Sequence, residues 1–481
     1  MEAASRSQFS HSLAAPHVSR VKPSAIVSAF AALASGAALR LWMLKQFFEI
    51  SGDSHIYGGL AKNLLLHGRY AIEDGSGVLH STLIRLPGYP LFLALCFRIF
   101  GMENYFWVAV AQIACELAGC IMLAATAWRL SPPGSKSCAS LAALWLACLC
   151  PFTAIYTVST LTEALTCFAI AMALWSVARF QDKQSWSAAL GFTLAATYAA
   201  LLRPDGALIG VAFAIPMLAV LFNRKQPSAT PGKKPLTIAL TCILIAATPF
   251  AAWTARNWQA FHVLQPLAPR YATDPGEPTW PGWQRWIKTW CLDFVSTYEI
   301  YWNAPDGQFD ITKLPSRAFD TPAQRAEIIS IAQAYEDNGE DFSSAIDARF
   351  AALANQRIAA NPLRYYVWLP AGRVADMLFR PRVENLPIDL DWWVYANHNA
   401  ETRFSWFYAA LNALYLLLAL AGLCLRPRLW PWMLAYFLLR CALLATIEAP
   451  EARYTLEFFP MVFVLGGIAI ARFTSVRRPQ A

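Results

Sequence analysis

Pro87-Gly88-Tyr89-Pro90-Leu91-Phe92-Leu93-Ala94-Leu95-Cys96-Phe97-Arg98-Ile99-Phe100 is the stretch on which the topology of this chain turns. Its last ten residues are largely apolar. Ten helical residues rise only about 15 Å, half of a hydrocarbon core of about 30 Å. The Pro and Gly residues ahead of them mark a turn from which a helix starts. The flanking basic loops decide whether the segment crosses. If it does not cross, Arg129/Lys136, Arg179/Lys183, Arg224/Lys225/Lys233/Lys234, Arg426/Arg428 and Arg472/Arg477/Arg478 all fall on one side, and Arg6, Arg20 and Lys22 join them. If it crosses, the N-terminus lands opposite every other basic loop. Basic loops gather on the cytoplasmic side, so Leu91–Phe100 is expected to be a juxtamembrane or re-entrant helix, with both chain ends cytoplasmic.

Outward from that stretch, the composition is that of a membrane protein. Of 481 residues, 57% are hydrophobic and 15% charged, against about 25% charged in a soluble protein. The net charge of +8 fits cytoplasmic loops and does not imply nucleic acid. Most of the 11 Cys lie inside apolar runs, and no CxxC pair or Cys/His cluster appears, so neither a disulfide framework nor a zinc site is expected. The polar N-terminus to Val21 reads as a tail before a retained first span, not as a cleaved signal peptide.

Ten apolar runs read as spans, at about Ser24–Met43, Tyr105–Trp128, Ser137–Tyr156, Thr160–Val177, Trp186–Leu202, Ala207–Phe222, Leu236–Trp253, Phe404–Leu425, Leu429–Ile447 and Leu456–Ala471. The expected organisation is a tail over 1–23, a transmembrane module over 24–255 with an outer loop at 48–103, and an outer domain over 256–403. C-terminal spans over 404–472 and a tail over 473–481 complete it. Helical periodicity in the outer domain covers Thr321–Tyr335 and Ser343–Ala360. Trp280, Trp283, Trp286 and Trp290, spaced by three or four residues, predict an aromatic stripe at the membrane interface; the alternative is a domain core.

Ionisable residues at membrane depth are costly and usually functional. Here they stand at the outer ends of spans: Asp53, Arg85, Glu163, Arg203, Asp205, Arg256, Glu448, Glu451 and Arg453. A lone Arg203 in an outer turn breaks the charge pattern and calls for an anionic partner. Arginine binds phosphate with fork geometry and stays charged. A carboxylate accepts the proton of an attacking hydroxyl. Together they fit displacement at a carbon whose leaving group is a phosphate. Each residue also has a plainer reading. Arg203 and Asp205 close a local turn, Glu163 pairs with an Arg, Arg453 snorkels to headgroups, and Asp53 caps a helix. No phosphate-binding loop, dinucleotide fingerprint or nucleophile elbow is present.

The first outer loop carries Gly52-Asp53-Ser54-His55-Ile56-Tyr57, Ala61-Lys62-Asn63-Leu64-Leu65 and His67-Gly68-Arg69-Tyr70. It resembles the first loop of bacterial GT-C-fold glycosyltransferases, relatives of protein O-mannosyltransferases and of the lipid A aminoarabinose transferase. Arg85-Leu86-Pro87-Gly88-Tyr89-Pro90, Thr162-Glu163, Leu202-Arg203-Pro204-Asp205, Pro249 to Arg256-Asn257, and Glu451-Ala452-Arg453-Tyr454 continue the likeness. The resemblance implies an all-α GT-C-type bundle with juxtamembrane helices in the first outer loop and a small, mainly helical outer domain. It implies an inverting transfer from a polyprenyl-phosphate sugar at the periplasmic face of the inner membrane, to a lipid, glycan or protein acceptor.

On that resemblance Asp53 is the expected general base. Arg85 is the expected partner of the carrier phosphate, and Arg203, Arg256 and Arg453 are expected to support it. Glu163 and Asp205 are expected as acceptor-side or structural carboxylates, and Tyr57 and Tyr89 as site-lining rings. No cofactor is expected. His55, His67 and His80 share the loop with Asp53, but their spacing fits no standard cluster and no metal is expected. Asp389-Leu390-Asp391 reads as a turn or cap. Protein mannosyltransferases carry Asp-Glu where this chain has Asp53-Ser54, a departure that counts against a protein acceptor. The rival reading is a flippase of lipid-linked sugars. It predicts internal repeats and charges deep in spans, where this chain clusters its charges at one face.

Overall fold

The computed structural model describes residues 23–50, 52–222, 235–304, 307–393 and 399–476. Arg6, Arg20, Lys22, Arg224, Lys225, Lys233, Lys234, Arg477 and Arg478, counted among the basic residues above, lie outside the described residues. So do residues 1–22 of the expected N-terminal tail and 477–481 of the expected C-terminal one.

The chain is an α-helical multi-pass membrane protein. Helix α1 (Pro23–Phe47) leads into α2 (Asp53–His67), a short hairpin of β1 (Ala71–Glu73) and β2 (Leu79–Ser81), and α3 (Gly88–Phe100). The bundle continues with α4 (Tyr105–Leu130), α5 (Lys136–Leu149), α6 (Pro151–Val158), α7 (Glu163–Asp182), α8 (Trp186–Leu202), α9 (Ala207–Leu221) and α10 (Pro235–Phe261). An inserted segment follows with α11 (Pro281–Ile287), the single turn α12 (Phe294–Ser296), α13 (Pro322–Asp337), α14 (Ser344–Ala360) and α15 (Leu369–Phe379). Helices α16 (Asn399–Cys424), α17 (Trp430–Leu444) and α18 (Phe459–Val476) close the bundle.

Seven described helices are long and apolar enough to cross a membrane, and the bent pair α5–α6 adds an eighth. Helices α8 and α17 are shorter and apolar, and with them the ten-span reading is consistent with the structure. The remaining short apolar helix is α3, which contains Leu91–Phe100. The loop between α1 and α4 thus holds two short helices, as expected, and a two-stranded hairpin for which periodicity gave no signal. Asp74 closes that hairpin by accepting from the Ser76 and Val78 backbone N–H groups.

The span read as continuous over Ser137–Tyr156 is instead broken, with a bend of 49° between α5 and α6. Pro151 opens α6 and has no N–H to donate. The end of α5 leaves last-turn carbonyls without helical partners. Arg40 of α1 reaches across and donates to the Cys148 carbonyl at 2.7 Å and the Ala147 carbonyl at 3.4 Å. Its own charge is paired with Glu116 of α4, which also accepts from Thr153 Oγ1 at 3.1 Å. One buried ion pair therefore holds the kink and ties α1 and α4 to both α5 and α6. Elsewhere the bundle relies on close backbone approach. A side chain at Gly422 of α16 would run into the Leu465 carbonyl of α18.

The two ends of the bundle differ. Arg129, in the last turn of α4, and Arg428, in the loop between α16 and α17, both pair with Asp182, at 2.5 and 2.6 Å. The cluster of Asp53, Arg203 and Arg453 described below belongs to the other end.

The inserted segment has its own apolar core, and the tryptophan stripe is part of it. Trp283, Trp286 and Trp290 are fully buried against Phe309, Phe342 and Phe350. The expected interfacial stripe is thus a core. The three-to-four spacing puts the rings on one face, but α14 covers that face, and Asp347 of α14 accepts from the Gly282 and Trp283 N–H groups. The two helices read from periodicity are present as α13 and α14, capped by Thr321 and Ser343. Trp286→Ala is expected to lower the stability of this segment by about 3–5 kcal/mol. Faster hydrogen exchange of the α13 and α14 amides in the full chain would report it. Unchanged exchange would refute this reading of the core.

Candidate active site

The site begins at Gly52, whose φ of 52° suits a residue without a side chain. That turn starts α2 with Asp53 as its first residue, where the helix N-terminus favours a carboxylate. Asp53 Oδ1 accepts from Arg85 Nη2 at 2.6 Å, and Oδ2 lies 3.6 Å from Arg453 Nη2. The carboxylate is therefore flanked by two guanidinium groups that come from opposite ends of the sequence. Burial opposes its ionisation, but Arg85 and then Arg453 outweigh burial and hold its pKa below the ordinary 3.8. Tyr57, one turn along α2, lies beside them with the Arg85 guanidinium 5.9 Å from its ring, and burial pushes its hydroxyl up to about 12.

These residues line a cavity of about 760 Å³. Glu163, Arg203, Asp205 and Arg453 share its wall. Glu163 opens α7; Arg203 and Asp205 lie in the turn between α8 and α9; Arg453 lies in the 3-10 stretch before α18. They form one chain of alternating charge. Arg203 reaches Glu163 at 2.9 Å, Asp205 at 3.2 Å and Glu457 at 3.4 Å. Arg453 reaches Glu451 at 2.5 Å and Glu163 at 3.9 Å. Arg440 closes the far end on Asp205 at 3.0 Å and Glu457 at 2.8 Å. Among the described residues Glu163 Oε2 has no hydrogen-bond partner, although it is buried in this wall.

Seven of the nine expected residues are brought together: Asp53, Tyr57, Arg85, Glu163, Arg203, Asp205 and Arg453. Arg256 and Tyr89 are not in the cavity wall. Arg256 donates to the Thr82 carbonyl at 2.7 Å and the Tyr70 carbonyl at 2.5 Å, and its guanidinium packs on the Tyr70, Trp253 and Phe261 rings. It anchors the α2–α3 loop to α10. Tyr89 is fully buried, its hydroxyl donates to Gln112 at 2.7 Å, and it supports the Tyr57 ring from behind at 5.1 Å. His80 pairs with Asp74, and among the described residues no three His, Cys, Asp or Glu side chains converge as a metal site would require. Asp389 and Asp391 also lie outside the cavity wall.

Three residues of this wall and its charged chain, Arg440, Glu457 and Glu384, were not marked by the sequence, and a fourth, Glu451, was marked without a role. Arg440 lies within α17 and Glu457 just ahead of α18, so a charged residue inside an apolar run was the available signal for both. Glu451 belongs to a quoted motif but had no assigned role. Glu384 comes from the inserted segment with no local signal at all. Burial holds its carboxyl above the usual range despite Arg380 at 2.9 Å.

The profile of the dolichyl-phosphate-mannose-protein mannosyltransferase family matches residues 85–253, about a third of the chain. No curated protein sequence matches it significantly. Among solved structures, the oligosaccharyltransferase of Archaeoglobus fulgidus, tethered to an acceptor peptide, superposes with a TM-score of 0.50 at 12% identity over 93% of this chain. The chain spans about half of that protein, 49% of its length. ArnT of Cupriavidus metallidurans bound to undecaprenyl phosphate aligns at 14% identity over 95% of this chain and 79% of its own, with a TM-score of 0.35. Its apo form aligns at 14% over 93% and 78%, with a TM-score of 0.38. At such identities the likeness concerns fold alone. The fold is that of the GT-C membrane glycosyltransferases.

Proposed function

We propose that this chain is an inverting glycosyltransferase that moves a sugar from a polyprenyl-phosphate donor to an acceptor hydroxyl or phosphate at the outer face of the membrane. The observation that carries the reading is the Asp53 carboxylate held between Arg85 and Arg453 at the wall of the cavity. A base thus stands beside two cations that do not lose their charge.

For a hydroxyl acceptor, the Asp53 carboxylate takes its proton. The freed oxygen attacks the anomeric carbon from the face opposite the phosphate. The bond from that carbon to the phosphate oxygen breaks, and polyprenyl phosphate leaves with the electron pair. Arg85 and Arg453 stabilise the charge that gathers on the leaving phosphate. A new bond forms as the old one breaks on the other side, so the configuration inverts. Under the positive-inside rule, the basic residues that meet at Asp182 mark the cytoplasmic end, which supports a cavity on the periplasmic side of an inner membrane.

The test is transfer of radiolabelled sugar from a panel of polyprenyl-phosphate sugars by membranes carrying the chain, with the anomer of the product assigned by NMR. Inverted product supports the reading, and retained configuration overturns the single displacement. Movement of intact lipid-linked sugar across vesicles without any transfer would favour a flippase.

The pH profile gives a second test. Arg85→Gln removes the nearest cation that keeps the Asp53 pKa low while burial stays, so the pKa rises. The base works only when ionised, so activity falls as pH drops through that pKa. The acid limb of kcat/KM, below 3.8 in the parent, is expected to move to higher pH in the variant, with a raised donor KM. An acid limb that stays in place would separate it from Asp53.

A further inference from the structure

The cavity has two unlike walls. One is the charged chain around Asp53. The other comes from the inserted segment, where Phe294, Tyr298 and Trp302 follow each other at intervals of four. Asp293 caps this stretch by accepting from the Ser296 N–H at 2.9 Å, and Thr297–Tyr301 winds as a π-helix, a form found often at functional sites. The three rings cluster with centroids 5.6 to 6.1 Å apart. Phe294 is buried, with the Arg380 guanidinium 5.2 Å from its ring, and serves as the anchor. Tyr298 and Trp302 are 48% and 44% exposed, so two large rings are presented with little to cover them.

The neighbours show what would cover them. Glu299 pairs with Lys313 at 3.0 Å, and Asn303 donates to the Glu299 carbonyl at 2.9 Å, so the same turn is edged by solvated polar groups rather than by an apolar helix face. That setting does not suit a lipid tail. Glu384 and Asn385 line the same cavity and carry carboxylate and amide groups. Flat rings beside hydrogen-bonding groups match a pyranose, which has an apolar C–H face and a rim of hydroxyls.

We infer that Tyr298 and Trp302 form the acceptor subsite and that the acceptor is a saccharide, free or carried on a lipid. This rests on the transferase reading above and names its second substrate. A sugar ring stacked on Trp302 presents a hydroxyl across the cavity toward Asp53.

The experiment supplies the full chain in membranes with labelled polyprenyl-phosphate sugars and with cell envelope from the same organism as the acceptor pool. Labelled product is divided into protease-sensitive, organic-extractable and aqueous glycan fractions. The label is expected in saccharide, and the last two fractions separate glycolipid from free glycan. Trp302→Ala is expected to raise the acceptor KM by about tenfold with the donor KM unmoved, and Trp302→Phe to restore most of the loss. Label confined to protein overturns the inference. So does an acceptor KM unchanged in Trp302→Ala, or a donor KM that rises with it. Wild-type protein that releases sugar from the donor yet labels only protein sinks this inference and leaves the transferase standing. Turnover of no donor sinks both.

Discussion

Asp53→Asn should lower sugar transfer by about two to four orders of magnitude at equal expression, the range for losing a positioned general base. The substitution keeps the shape of the side chain and removes its charge. Asn has a carbonyl oxygen that still accepts from Arg85, so the turn at Gly52 and the start of α2 should survive. What is lost is the capacity to take a proton. The fall should appear in kcat with a smaller change in donor KM, because Arg85 and Arg453 remain to meet the phosphate. Single-turnover transfer in membranes measures it. Equal rates in parent and variant would remove Asp53 from the reaction. A donor KM that rises steeply while kcat holds would make it a binding group.

The second large effect is on stability. Arg440→Met should destabilise the protein by about 3–5 kcal/mol, the cost of stranding a buried charge. Arg440 Nη2 donates to Glu457 Oε2 at 2.8 Å, to Asp205 Oδ2 at 3.0 Å and to the Tyr454 carbonyl at 2.7 Å. Arg440 and Glu457 are both fully buried. Without the guanidinium, Glu457 keeps only Arg203 at 3.4 Å. Adding Glu457→Gln should recover a large part of the loss, because no charge is then stranded, and the two substitutions should be strongly non-additive. Thermal unfolding of the purified protein in detergent reads this directly. A single variant with an unchanged midpoint would mean that the ion pair contributes little. A double variant no better than the single would place the damage in packing and not in charge.

The seven cavity residues found from sequence share one property. Each is ionisable or aromatic and stands next to a span end or a Pro/Gly turn, where local sequence already marks it as out of place. Arg256 met that description too, yet its guanidinium holds the Tyr70 and Thr82 carbonyls. Local sequence shows that an arginine needs an acceptor; it does not show whether that acceptor is a ligand or the backbone of a distant loop. The tryptophan stripe carries the same lesson. A helical spacing of rings says that one face is aromatic, and whether lipid or another helix covers that face depends on the packing of α14, 60 residues further on in the chain.

The apolar runs determined that the chain is a multi-pass helical bundle, because a backbone in hydrocarbon must satisfy its own hydrogen bonds and in this chain does so as helices. The balance of basic residues set the expectation of which segments share a side, and the short run after Pro90 set the expectation that α3 stays at the membrane surface. These are local or additive properties of sequence. The tertiary structure alone decided that Arg85 and Arg453, far apart in the sequence, flank one carboxylate, that Arg40 mends the break before Pro151, and that Tyr298 and Trp302 line the same cavity as the charged wall. Each of those depends on distances between helices. Such distances are set by side-chain packing across the whole bundle, which no window of sequence contains.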